Sequence, residues 1–521
     1  MLQKAKISLC PDMRSQKVSR YVYGHFIEHL GRCVYNGIWA GKDSPNGPRR
    51  GRIENYDGLR SFTVAALKKI KMPCLRWPGG CFADGYHWMD GIGPAAKRPK
   101  RYSFWSLRHR LAESNQFGTD EFLRFCEMIG AEPYISVNVG SGTIQEARDW
   151  AEYCNSVIET DITRMRRKNG HPQSYDVKFW GIGNESWGCG GPMTPESYAD
   201  LFIRFAGSVG QAARTKREET PKMIACGSTP DFPEWDERLL AALKKNGGKA
   251  KYIAPHIYAS VNSSDTVFSE EEYYKMVERI DFMDKYISRV CDVIRAYSPD
   301  SEIVLDEWGT AYREAMVDSA MLCQQNTMSD AVLTALSFHC FHKYAQKVFM
   351  TNMAQTVNVL QSLILTQGSK AIVTPTYHIY EMFMPHRDSS VIACKTEGPA
   401  LKLPEGKEMD SISASATISE NGKEIFLSIV NVDLKNDYEI KIRIQTDKVY
   451  GIKRIRSLES GDIHDHNTFE EPGKVTVKDG ASCVVRSASK ERKKAKNNAE
   501  RNKAIEIELP RHSVTTILLA S

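Results

Sequence analysis

Short apolar or β-branched runs recur along the first 385 residues with helix-period segments between them, an alternation that predicts a parallel βα fold. Eight runs read as strands: Tyr21 to Ile27, Pro73 to Pro78, Tyr134 to Asn138, Val177 to Ile182, Met223 to Gly227, Tyr252 to Tyr258, Glu302 to Glu307 and Leu333 to Phe341. Helices are expected over Phe62 to Lys69, Thr119 to Ile129, Thr143 to Ile158, Thr194 to Arg214, Trp235 to Lys245, Glu270 to Tyr297 and Ala354 to Leu365. Several open on a capping signal. In Thr119-Asp120-Glu121 and Thr194-Pro195-Glu196 a side-chain oxygen can satisfy an orphan amide, and proline suits the first turn. Eight βα units close without a free edge, so the predicted fold is α/β, a (β/α)8 TIM barrel over residues 18–385.

After about Pro385 the rhythm shortens to strands at Ile412 to Ile418, Glu424 to Val432, Tyr438 to Ile444, Val475 to Val477, Val484 to Arg486, Ala504 to Leu509 and Val514 to Leu519. Asn421-Gly422, Ser460-Gly461 and Asp479-Gly480 stand where tight turns belong. This predicts a C-terminal β-sandwich of jelly-roll size over 386–521. Residues 1–17 are expected to join it through the strand-like Ala5 to Cys10, which makes that domain discontinuous.

At 521 residues, with 41% hydrophobic and 26% charged side chains, the chain has ordinary globular usage and can bury a deep site. No apolar run approaches the roughly 18 residues of a membrane span, and the first ten residues lack the apolar core of a secretory signal. A cytoplasmic protein without a membrane partner is expected. The thirteen cysteines include no C-x-x-C pair, so reduced thiols are expected. Seven Lys/Arg against two Glu between Lys490 and Lys503 carry nearly all of the net charge of +6. One basic tract of this kind reads as a solvated insertion, which argues against a nucleic-acid partner.

Two strands carry the chemistry. Trp180-Gly181-Ile182-Gly183-Asn184-Glu185 and Val304-Leu305-Asp306-Glu307-Trp308 each end an apolar run in a glutamate, as a barrel strand does when it delivers a carboxylate to its C-terminal rim. Two such glutamates predict a glycosidase, in which one acid protonates the departing oxygen and one carboxylate meets the oxocarbenium-like carbon. Asn184 is placed beside the reacting carbon, and Gly181 and Gly183 permit close backbone packing. The expected roles are acid/base for Glu185, which starts protonated, and nucleophile for Glu307, which starts ionised. No metal and no cofactor are required.

Around these strands lie Tyr23-Gly24-His25-Phe26-Ile27-Glu28-His29-Leu30-Gly31-Arg32, Leu75-Arg76-Trp77-Pro78-Gly79-Gly80, His256-Ile257-Tyr258, Asp306-Glu307-Trp308-Gly309-Thr310 and Asn352 to Leu360. In order and spacing they resemble the signature series of the intracellular α-L-arabinofuranosidases of glycoside hydrolase family 51. The resemblance runs from residue 23 to residue 360. It implies a retaining mechanism, a barrel with a jelly-roll partner, and release of terminal α-L-arabinofuranosyl units from arabinan, arabinoxylan or their oligosaccharides. It also implies a homohexamer. Residue by residue it implies sugar contacts from Glu28, Arg76, Asn184, Tyr258 and Gln355, with Cys81 close to the ring. Chemical type agrees: Arg76 is a permanent cation able to hold a carboxylate anionic, and Tyr258 can donate to the nucleophile. Phe26 and Trp308 are expected as apolar walls. The chain departs from the family pattern at Cys81, where asparagine is common. It departs again at Ala311, where a second tryptophan is frequent, and in Ser337 to His342, where asparagines are usual.

Other readings are weighed against this one. His25-Phe26-Ile27-Glu28-His29 matches H-x-x-E-H, but that zinc motif needs a helix, and on a strand the two histidines stand about 13 Å apart. A barrel that binds arabinan without cleaving it is a second reading. Within the enzyme class, retaining β-D-xylosidase or endoglucanase-like activity is the alternative.

Overall fold

The computed structural model describes residues 2–41, 53–214, 220–317, 321–403, 406, 408–480 and 505–521. Eight strand positions form a closed parallel ring. In order they are Gly24–Phe26, Cys74–Trp77, Glu132–Val137, Phe179–Ile182, Lys222–Cys226, Tyr252–Ala254 continued by His256–Ser260, Glu302–Ala311 and Val348–Ala354. The last pairs with the first through Asn352 and Gly24, which closes the barrel. Below the rim the interior is filled by Cys74, Tyr134, Phe179, Ile224, Tyr252, Val304 and Met350. The barrel interior is therefore a packed core beneath its C-terminal rim.

Helices at Thr119–Ile129, Trp235–Lys245 and Glu270–Tyr297 have the expected bounds. The eighth strand does not. Leu333 to Phe341 belongs to a helix, Met328–Lys343, capped by Thr327, whose hydroxyl accepts from the Ser329 amide while Asp330 accepts from the Thr327 amide. Every residue from Met328 to His342 is buried. A helix covered on all sides loses its polar face, and its sequence then looks like the apolar run of a buried strand. The true eighth strand is Val348–Ala354, so the helix expected over Ala354 to Leu365 is also absent. That stretch turns back on itself through Asn358 and Leu360, both left-handed with φ of 60° and 49°, into a hairpin of Ile364–Gln367 and Lys370–Val373.

Nine strands form the second sheet, in the order Lys478–Asp479, Gly451–Leu458, Ser513–Ala520, Glu424–Asn431, Ile412–Ile418, Ser390–Glu397, Gln3–Lys17, Tyr438–Ile444 and Ile505–Leu509. Residues from both ends of this order, including Leu519 and Ile507, share one apolar core, so the sheet curls over itself. Gln3–Lys17 runs antiparallel to Ser390–Glu397 and parallel to Tyr438–Ile444, deep inside the sheet. Val475 to Val477 is not a strand: Asn467 holds the Val475 backbone from both sides. Val484 to Arg486 and the basic tract Lys490 to Lys503 lie outside the described residues.

The buried helix Met328–Lys343 joins the two units. His339 bonds Ser413 and Ser428 at 2.8 Å each, and His342 bonds Ser415 at 2.8 Å and Tyr23 at 2.7 Å. Within the asparagine-poor stretch Ser337 to His342, the two histidines thus face the sheet, while Phe338 and Phe341 face the barrel.

Candidate active site

Arg76, on the second barrel strand, is the hub of the rim. Its neighbours in register are Phe26 and Tyr134, and its guanidinium lies over the Phe26 ring, 4.8 Å from the centroid. Nη1 donates to Glu307 Oε1 at 2.9 Å, Nε stands 3.1 Å from Asp306 Oδ2, and Nη2 donates to Asn184 Oδ1. Burial alone would lower the Arg76 pKa, but the carboxylates of Asp306 and Glu307 raise it, so the charge stays. Strand pairing slips between Leu305 and Trp308, and there the adjacent side chains of Asp306 and Glu307 both face inward.

Glu307 has both oxygens engaged, since Tyr258 donates to Oε2 at 2.9 Å. His256, its register partner, bridges the site: Nε2 bonds Asp306 Oδ1 and Nδ1 bonds Glu185 Oε1, each at 2.8 Å. Burial lowers the imidazole pKa, but Glu307 and Asp306 outweigh it and carry it to about 10. His256 is therefore an imidazolium at neutral pH, and both ring N–H groups donate. Asp306 shows the reverse balance. Burial would raise it, but Arg76, His256 and a 2.6 Å bond from Tyr134 hold it below the usual carboxylate range.

Glu185 sits just past the fourth strand in a left-handed conformation, φ 41°. The preceding Gly183 is also left-handed, and a Cβ there would meet Val139 at 2.4 Å. Burial, then the charge of Glu307, raises the Glu185 pKa; His256 and Arg76 oppose them. Oε1 accepts from His256, which leaves Oε2 to carry a proton. One donor atom each from Glu185, His256 and Glu307 lie within 4.8 Å of one another.

Glu28 accepts from the Phe82 amide at 3.0 Å, Trp105 Nε1 at 2.8 Å and Gln355 Nε2 at 3.0 Å. Burial first and Glu307 second lift its pKa to about 7 despite these donors. Gly79 and Gly80 are required beside it: a Cβ at Gly80 would stand 2.8 Å from both Glu28 oxygens. Among the buried polar atoms without a partner in the described residues, Asn184 Nδ2 and Gln355 Oε1 belong to this hollow. An open donor and an open acceptor in one hollow suit a polyhydroxylated ligand.

The expected residues Glu28, Arg76, Cys81, Asn184, Glu185, Tyr258, Glu307 and Gln355 thus share one hollow, with Phe26 beneath Arg76. Trp308 does not join them. It packs edge-on against Phe338 and Phe341 of the outer helix, with centroids at 5.7 and 4.9 Å, because its side chain leaves the strand on the helix side. The H-x-x-E-H residues have separate partners. His29 meets Glu113 and Trp77, His25 meets Thr356, and Glu28 turns to the hollow. Cys81 and Cys189, 108 residues apart, form a disulfide with Cα atoms 5.2 Å apart, against the expectation of reduced thiols throughout. No local spacing announces that pair. Sequence reasoning also passed over His256, Asp306, Tyr134 and Trp105. For the first two a signal existed: His256 precedes Tyr258 by the two residues that share a strand face, and Asp306 is a charge in an apolar run.

Comparison with known proteins agrees with this geometry. Family models described as the α-L-arabinofuranosidase 1 domain and the α-L-arabinofuranosidase C-terminal domain match residues 66–289 and 306–513. An intracellular exo-α-L-arabinofuranosidase of Bacteroides ovatus is 37% identical over 477 residues, 90% of each chain. The crystal structure of a family 51 arabinofuranosidase from Xanthomonas axonopodis pv. citri superposes with a TM-score of 0.89 at 32% identity, covering 99% of this chain and 100% of that one. An α-L-arabinofuranosidase from Thermotoga maritima in complex with arabinose gives a TM-score of 0.80 at 32% identity, with the same coverage. With two glutamates meeting across one rim and relatives matching over nearly its whole length, the chain belongs to the α-L-arabinofuranosidases of glycoside hydrolase family 51.

Proposed function

We propose that the protein removes terminal, non-reducing α-L-arabinofuranosyl residues from arabinan, arabinoxylan and arabino-oligosaccharides by double displacement with retention. The carrying observation is the approach of Glu185 and Glu307, whose donor atoms lie within 4.8 Å. Retaining glycosidases hold their carboxyl groups about 5 to 5.5 Å apart, whereas inverting ones leave roughly 6.5 to 9.5 Å for a water. Glu185 Oε2 gives its proton to the glycosidic oxygen as the bond to the anomeric carbon breaks, and a Glu307 oxygen forms an ester to that carbon. Arg76 and Tyr258 fix the plane of the attacking carboxylate. Once Glu307 is esterified its charge is gone, and Glu185, now anionic, takes a proton from the water that opens the ester. Glu28, Asn184 and Gln355 are read as holding the sugar hydroxyls, with Cys81 near the ring.

The same reading places the protein in the cytoplasm as a homohexamer. The Bacteroides relative is named intracellular, and no helix among the described residues is long and apolar enough to cross a membrane. The test is a panel of aryl α-L-arabinofuranoside, β-D-xyloside and β-D-glucoside with wild type, Glu185→Ala and Glu307→Ala. The arabinoside is turned over fastest by the wild type, and Glu307→Ala is inert. Azide restores Glu185→Ala on an activated arabinoside, giving the arabinosyl azide of retained configuration. Equal rates for the three proteins would end the assignment.

A further inference from the structure

Two sulfurs that the reaction does not use stand against its proton donor. Cys189 Sγ lies 3.5 Å and Cys81 Sγ 3.8 Å from Glu185 Oε2, the oxygen left free by His256. One donor atom from each of Cys81, Glu185 and Cys189 falls within 4.8 Å of the other two. In the structure the sulfurs are bonded to each other and offer no thiolate. A dithiol reductant changes that: its two electrons break the S–S bond, its two protons leave one thiol on each cysteine, and it departs as its own disulfide. Two thiols and a carboxylate are then gathered around one point. Tetrahedral zinc takes sulfur at about 2.3 Å and carboxylate oxygen at about 2.0 to 2.2 Å, and soft thiolates select such cations over magnesium or calcium. Once reduced, the two sulfurs must part from bonding distance to hold a cation between them, and Cys189 lies in a glycine-rich turn. Gly188 precedes it, and Gly190 and Gly191 follow in left-handed conformations.

We infer that Cys81, Cys189 and Glu185 form, when the disulfide is reduced, a site for a thiophilic divalent cation such as zinc or cadmium, and that occupation silences the enzyme. On binding, each thiol and the Glu185 carboxyl release a proton to solvent, and the cation takes Glu185 Oε2, the position from which the glycosidic oxygen is protonated. The disulfide is the protected form of the same pair: oxidised enzyme tolerates such a cation and reduced enzyme does not. The silencing rests on the role proposed for Glu185, but the binding does not.

The test uses cadmium chloride with three proteins: wild type reduced with dithiothreitol and desalted, wild type oxidised with diamide, and reduced Cys189→Ser. Cadmium–thiolate charge-transfer absorbance reports binding, and hydrolysis of an aryl arabinofuranoside, relative to each protein's own metal-free rate, reports silencing. The reduced wild type is expected to lose half its rate at a cadmium concentration at least tenfold below that for the other two, and to show a charge-transfer increment that both lack. The remaining cysteines are shared with Cys189→Ser, so a response common to those two belongs to them. Equal sensitivity of reduced wild type and Cys189→Ser, or of reduced and oxidised wild type, overturns the site. The oxidised arm decides even if the variant does not fold. An increment present in the reduced wild type alone but without loss of rate leaves the site standing and removes Glu185 from its proposed role.

Discussion

His256 decides how two carboxyl groups a few ångströms apart divide their protons. Its Nδ1–H is spent on Glu185 Oε1 and its Nε2–H on Asp306, so the cation opposes protonation of Glu185 without occupying the oxygen that works. Removing the cation leaves Arg76 to oppose burial and Glu307 without His256, so the Glu185 pKa rises further. Because Glu185 is proposed to act in its protonated form, activity falls as pH rises through that pKa. In His256→Asn the alkaline limb of kcat/KM is therefore expected to move to higher pH, with kcat lowered by less than the roughly 10²- to 10⁴-fold of a lost general acid or base, since Glu185 itself stays. Stability gives a second measure. With a folded pKa of about 10 against 6.5, the His256 contribution is complete below pH 6.5 and is lost as pH rises toward 10. Wild-type Tm should fall more steeply over that window than the Tm of His256→Asn. At this scale the two glutamates were legible because each ends an apolar run in the sequence, although the strand of Glu307 goes on to Ala311. His256 and Asp306 were half legible, and the Cys81–Cys189 bond was not, since only the folded chain brings those loops together.

Among the elements, the fourth barrel strand shows how a missing side chain positions others. A Cβ on Gly181 would stand 2.9 Å from the Tyr134 hydroxyl and 3.2 Å from Ser136 Oγ, two groups that hold Asp306 and Arg76. Gly181→Ala is expected to destabilise by about 1 to 3 kcal/mol, the usual cost of overpacking a filled interior, and to lower kcat by pushing Tyr134 off Asp306. Denaturant unfolding and steady-state kinetics on the same preparation check both. The glycine was noted in the sequence as a place of close packing, and its neighbours are now known. The eighth strand was misread for a related reason. Periodicity reports contrast between faces, and Met328–Lys343 has no solvent face to contrast with its buried one. Trp235–Lys245, which has an exposed side, was placed to the residue.

For the whole molecule, the joint between barrel and sheet is made of neutral histidines. Burial depresses His339, with His386 adding to it, and burial depresses His386 itself; both titrate at about 3. His386 bonds Thr417 on the sheet, as His339 bonds Ser413 and Ser428. The unfolded chain takes up these protons near pH 6.5 and the folded one near 3, so their support is complete above 6.5 and drains away as pH falls toward 3. His339→Asn should flatten the acid side of the Tm profile. Deleting residues 1–17 would strip Ser390–Glu397 and Tyr438–Ile444 of a shared neighbour and expose two long edges, so that variant is expected to aggregate, as light scattering would report. The position of that strand also sets an order of events during synthesis. Gln3–Lys17 leaves the ribosome ahead of its partners, the earliest of which follows about 370 residues later, an interval of roughly 20 to 70 seconds at ordinary elongation rates. Throughout that time the nascent protein carries an unmatched β segment, and all the barrel strands emerge while this segment waits.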